Sequence, residues 1–267
     1  MKSTNILFFL AALLLLSCDS DNKKYYLEYY PSGNIKYKAE MNNDSLFNGT
    51  AEEYYDTGEL LFKTTFSNGV NNDSAFFYYR NGRVMKKGLF RNKNFFSWWI
   101  EYDTIGNIIS KKEYLNSNNF SEFGIKNSDS IFINQAIFYK KGVVDSLSSS
   151  FFEMLLPDTL CLGNNKIKLA LNSNYKDYCK NYDSCGFLSL FVILKNQHNK
   201  LDTLNSRKPV MSIDVQYLKV GEITIKGEIV EQDYYIKNHK KDSLSDMNVL
   251  RINKFFEKKV YVKDSVK

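Results

Sequence analysis

Nine of the 17 aspartates are followed by a serine or threonine and then an aliphatic residue or alanine. Composition alone predicts under about one such run. The hydroxyls are those of Ser45, Ser74, Thr104, Ser130, Ser146, Thr159, Thr203, Ser243 and Ser265. A hydroxyl in this setting could carry a covalent group. The same pattern suits a turn leading into a strand, because Asp and Ser bond back to the local backbone. Other reactive side chains are few: Cys18, Cys161, Cys179, Cys185, His198 and His239. A serine or cysteine nucleophile needs a base and an orienting group. There is no Gly-x-Ser-x-Gly run, and Cys161 or Cys185 with His198 is an unmarked pairing. No glycine-rich run precedes Lys-Ser or Lys-Thr, and no CxxC is present, so neither a phosphate loop nor a zinc site is expected. Carboxylates are plentiful, but none has the spacing of a glycosidase pair. Glu52 and Glu53 are strand neighbours and point to opposite faces. The chain is therefore expected to be no enzyme and to hold no cofactor or metal. Tyr78, Tyr79, Trp98 and Trp99 are the remaining candidates. Their rings could stack sugars or a partner chain, or could simply pack.

The elements that must position these residues repeat. Tyr30-Pro31-Ser32-Gly33, Tyr55-Asp56-Thr57-Gly58, Tyr79-Arg80-Asn81-Gly82 and Tyr102-Asp103-Thr104-Ile105-Gly106 share one pattern, with glycines 25, 24 and 24 residues apart. A second set of turn residues keeps the step: Asn43-Asp44, Asn68-Gly69 and Asn92-Lys93. A fixed period of this size means stacked supersecondary units. Aromatic runs bounded by Asn and Gly read as hairpin strands. Of the 41 aromatics, 21 lie between Tyr25 and Tyr114, often as neighbours, so both sheet faces should carry rings. The fourth unit appears with one extra residue before Gly106.

The Tyr-x-x-Gly spacing with aromatic strands resembles the MORN-repeat variant found in many bacterial proteins and often catalogued loosely as antitoxin-like. The resemblance covers residues 25–116. Gly49 matches the family's second glycine; Asp73 and Phe96 stand there in the next two units. The resemblance implies a β-meander used for contacts, not catalysis. After it the composition turns to Asn and Ser at 116–119, where a boundary is expected. Beyond it six strands are predicted, at 130–139, 146–155, 166–171, 187–194, 221–231 and 250–262, with a long loop at 172–183 and a short helix at 242–248. Ile223, Ile225, Gly227 and Ile229 alternate with polar residues, as in a half-buried strand. The expected fold is all-β: a meander of tandem hairpins over 25–116, then an antiparallel β-sandwich-like domain over 120–267.

The N-terminus gives an address. Lys2 precedes a wholly apolar run, 6–16, too short to span a bilayer at ~20 residues. Leu15-Leu16-Ser17-Cys18 resembles a bacterial lipobox. The resemblance implies a signal peptide over 1–17, a diacylglycerol on Cys18, with fatty acyl chains such as palmitate, and a tether over 18–24. The alternative is an ordinary signal peptide with a chance cysteine. Asp19 and Asp21 in the tether resemble the surface-export signal of Bacteroidota lipoproteins; the periplasmic face is the other option. The Asp-Ser/Thr tripeptide in turn resembles the Bacteroidota O-glycosylation sequon. In an oxidising compartment Cys179 and Cys185 could join across a short loop, leaving Cys161 as a small buried hydrophobe. The net charge is +6, and its excess is spread along residues 117–267, with 22 bases against 17 acids, which suits a solvated surface and no nucleic-acid partner. The sequence thus points to a lipid-anchored envelope protein that works by contact with a protein or glycan. The alternatives are a partner or immunity-like subunit of a secreted toxin or envelope complex, and a hydrolase with its site in the C-terminal domain.

Overall fold

The computed structural model describes residues 23–125, 130–156, 159–173, 184–195, 200–238 and 245–264. They are nearly all strand. The first ten are β1 (Lys24–Tyr29), β2 (Ile35–Met41), β3 (Phe47–Tyr54), β4 (Leu60–Phe66), β5 (Asn72–Tyr78), β6 (Val84–Arg91), β7 (Asn94–Tyr102), β8 (Ile108–Asn116), β9 (Ile131–Lys140) and β10 (Val143–Val144). They form one antiparallel meander in chain order.

The repeated turns are alike in detail. The amides of Gly33, Gly58 and Gly82 each bond the carbonyl of the tyrosine three residues back at 2.9 Å. All three glycines sit at positive φ, where a Cβ would be strained. In the fourth unit Gly106 bonds Asp103, not Tyr102. No residue is extra there: Asp103 fills the tyrosine's place and accepts the amides of Ile105 and Asn107 at 3.0 and 2.8 Å. The turn tyrosines explain the period. The hydroxyls of Tyr30, Tyr55 and Tyr79 donate to the carbonyls of Tyr54, Tyr78 and Tyr102 in the next unit, at 2.8, 2.8 and 2.7 Å. Each unit is therefore latched to its successor across the same distance. Tyr55→Phe should lower stability by about 1 kcal/mol, the usual net worth of one such bond. A urea midpoint unmoved by that change would show the latch to be idle.

The two faces of the meander differ. One carries rings in near-continuous contact: Phe47 with Phe66, Phe62 with Phe77, and Phe95 with Trp99 and Tyr114, at centroid distances of 4.3–5.4 Å. A row of small residues, Ala39, Ala51, Thr64 and Ala75, runs between the rings and is buried by them. On the other face rings lie beneath cations, with Lys38 over Tyr25, Lys87 over Tyr102 and Arg91 over Phe96.

The sheet does not end at 116–119. A 3-10 helix, Ser117–Phe123, opens there, with Asn116 capping the amide of Asn118 at 2.8 Å. β9 then returns to pair with β8. The change in composition marks this inserted turn. A bulge opposite Glu113 re-aims Asn134. Its amide bonds the carbonyl and the N–H of Phe255 at 2.8 and 2.7 Å, and Phe120, Phe123 and Phe132 pack around Phe255.

The remaining strands are β11 (Phe151–Leu155), β12 (Thr159–Cys161), β13 (Gly163–Asn172), β14 (Ser184–Lys195), β15 (Leu201–Ser206), β16 (Val210–Tyr217), β17 (Gly221–Asn238) and β18 (Ser245–Lys263). One sheet has the order β11-β13-β16, the other β12-β18-β17-β14-β15. Ile167, Leu169 and Ile213 from the first meet Leu190, Val192, Ile229, Val260 and Val262 from the second in one dry core, the packing of a β-sandwich. No helix forms at 245–248: those residues pair with 235–238 along the β17–β18 hairpin, and an available ladder overrides local preference. Residues 242–244 of that expected helix, and 174–183 of the expected loop, lie outside the described residues. Among the described residues no helix is long and apolar enough to cross a membrane.

Candidate functional site

The tripeptide hydroxyls are presented as acceptors would be. Ser45, Ser74, Thr104, Ser130, Ser146, Thr159 and Thr203 are all exposed, against seven of the eighteen other serines and threonines whose burial is described. Several of their aspartates have work of their own, Asp73 accepting the amide of Ser74 at 2.6 Å. Asp103 shapes its turn, and Asp145, held below the usual carboxylate range chiefly by Lys140, accepts from Ser148 at 2.8 Å. Ser243 and Ser265 lie outside the described residues, as do Cys18, Cys179, His198 and His239; the side chain of Cys185 does too, so the structure does not bear on a Cys179–Cys185 bridge. Cys161 is exposed and not buried, because β12 is the edge strand of its sheet.

Trp99 is withdrawn from the aromatic platform, while Tyr78 and Trp98 are half-buried. Trp99 is 1% exposed and lies against Gly88 and Phe95, so its ring is unavailable. Trp98 follows the opposite face of β7. Tyr79 is committed to its latch with Tyr102.

Two features were missed by inspection of the sequence. The first is a set of buried charges. Glu231 and Asp233, 1% and 3% exposed, continue the inward parity of Ile223, Ile225 and Ile229 on β17. Extending that alternation by two further positions would have found them. Lys254, 2% exposed and opposite Ile229 on β18, shares the same face and donates to Ser150 Oγ at 2.7 Å. Burial and the neighbouring Glu231 carboxyl push Asp233 up to about 8, while burial depresses Lys254. With both carboxylates ionised, none of their four oxygens has a donor. The proton that Asp233 retains supplies one, donated toward Glu231.

The second is a wedge of about 670 Å³ in the C-terminal sandwich, lined by Leu194, Leu204, Val215, Tyr217, Ile223 and Ile225. Met211, Ile213, Val215 and Tyr217 alternate with polar residues, the signal of β16 that the predicted strands omitted. β15 and β16 leave a common corner, where Leu171 N bonds Pro209 O at 2.7 Å, and both lie at the margins of their sheets. Tyr217 is part of the lining, its hydroxyl pushed up to about 12 by burial. Asp202, Asp214, Lys195 and Lys219 stand among the lining residues, so both signs are present. Such a site can hold an apolar group by burial, worth ~25 cal/mol per Å². It offers Tyr217 as a neutral donor across physiological pH. Among the described residues no three His, Cys, Asp or Glu side chains gather where they could hold a metal ion.

No protein family, curated protein or solved structure matches the chain.

Proposed function

We propose that the protein is a lipid-anchored, non-catalytic binding module of the cell envelope. It is held by acylated Cys18 at the outer membrane, on its periplasmic face or at the cell surface, and takes a partner in the wedge. The wedge carries this reading. It is an open apolar concavity with one unpaired phenolic hydroxyl among the described residues, the kind of lining that selects by shape and burial. The meander, with its latched 24- to 25-residue units, supports a relationship to the MORN-repeat variant, in which such sheets serve contacts.

Two measurements test the reading. Cys18→Ser should move the chain from the membrane fraction to the soluble one; unchanged retention would remove the anchor. A photo-crosslinking residue at Leu204 in native cells should trap one species that the same residue at Ile105, exposed on the meander, does not. Equal labelling at both sites would remove the wedge as the binding site.

We also read the tripeptide hydroxyls as O-glycan acceptors, supported by their uniform exposure. The intact mass from the native host should exceed that of the lipidated polypeptide. Equality of the two masses would end this idea.

A further inference from the structure

We propose that the wedge is a slot for one extended strand of a protein partner, which binds by completing the C-terminal sandwich. This deepens the reading of the wedge as the binding site and rests on it. Five strands face three. β16 pairs with β13 along 210–217, and its other edge has no ladder partner among the described residues. β17 pairs with β14 only from Gly227 onward, so among the described residues 221–226 are laddered to β18 alone. Both bare edges border the same wedge, whose lining includes 214–217 and 223–225.

An unpaired edge is a template for another chain. The apolar floor between the two edges is what an incoming strand would cover with every second side chain. Backbone pairing would supply affinity, and the pockets at Leu194, Leu204 and Ile223 would supply selection for Val, Ile, Leu or Phe at alternate positions. The part of β16 that borders the wedge, 214–217, spans about 13 Å at ~3.3 Å per residue. The Tyr217 hydroxyl meets one carbonyl of the guest. A small apolar molecule would fill the floor and leave both edges bare, so the edges favour a strand.

The test uses the full mature chain in detergent and a synthetic heptapeptide library in which Val, Ile, Leu and Phe alternate with Thr and Ser. Binders should slow hydrogen exchange at amides within 212–217 and 222–225 at least about tenfold. N-methylation of alternate peptide amides and Leu204→Asp should each weaken binding by at least about tenfold. Because the N-methylated peptides need no protein variant, a poorly folding Leu204→Asp does not spoil the test. Binding that ignores N-methylation and protects no amide, yet is lost in Leu204→Asp, overturns the strand and leaves the wedge as an apolar site. Absence of any binder at 1 mM-scale peptide overturns the strand as well, and 8-anilinonaphthalene-1-sulfonate then decides the wedge: fluorescence lost in Leu204→Asp keeps it, and no wedge-dependent signal removes it. Protection of the same amides without peptide, together with a doubled mass, would assign the slot to a second copy and overturn the proposal.

Discussion

Asp233→Asn is expected to stabilise the chain at pH 9 by about 3–5 kcal/mol and to have little effect near pH 4. The native Asp233 keeps its proton up to about 8, whereas the unfolded chain releases it near 4. Between these values the folded state binds more protons than the unfolded one. Stability therefore falls as pH rises through that window and levels off above it. Four pH units correspond to about 5–6 kcal/mol, and one substitution recovers only part of it because the buried Glu231 side chain stays in place. Asparagine does not titrate, and its amide can donate to Glu231, whose oxygens otherwise lack a donor. Urea unfolding at pH 4, 7 and 9 measures the effect; a variant that loses as much stability on the alkaline side as the parent would refute it. Lys254→Met should act in the opposite sense at neutral pH, because it removes the facing ammonium from the buried carboxylates.

What was legible in the sequence was whatever has a local cause. The meander announced itself because each turn needs a glycine at positive φ and each latch needs a tyrosine at the same step. Six later strands showed in their apolar runs. The edges β12 and β15 did not, because Thr159–Cys161 and Leu201–Ser206 bury so little that no periodicity is imposed on them. The sheet's continuation past 116–119 was not legible, because composition reports the inserted helix and only the return of β9 shows that the sheet goes on. The wedge was invisible for another reason: its lining comes from strands of two different sheets, and how two sheets meet is not written in either strand. Pairings and exposures, not residue types, separated Trp98 from Trp99 and brought Lys254 beneath Glu231 and Asp233.

Trp99→Ala should cost about 3–5 kcal/mol and Gly88→Ala about 2–3, yet the two together should cost less than their sum. Trp99 is the largest fully buried side chain of the meander, and its Nε1 donates to the carbonyl of Leu89 at 2.9 Å. An extra pair of residues on β7 opposite Lys87–Leu89 lays the ring flat on Gly88. A Cβ at Gly88 would meet Trp99 ring carbons at 2.5–2.7 Å, closer than carbon atoms approach, so either the ring or the strand must shift. Once the ring is gone the clash is gone. Alanine in a strand then costs less backbone entropy than glycine, by ~0.5–1 kcal/mol, so Gly88→Ala should turn from harmful to neutral or helpful in the Trp99→Ala background. A double-mutant cycle on denaturant midpoints reads this directly, and simple additivity would mean that ring and glycine do not touch. The sign reversal also separates packing from binding. A tryptophan kept for a partner would lose affinity when removed, with no reason for the glycine beneath it to change its preference.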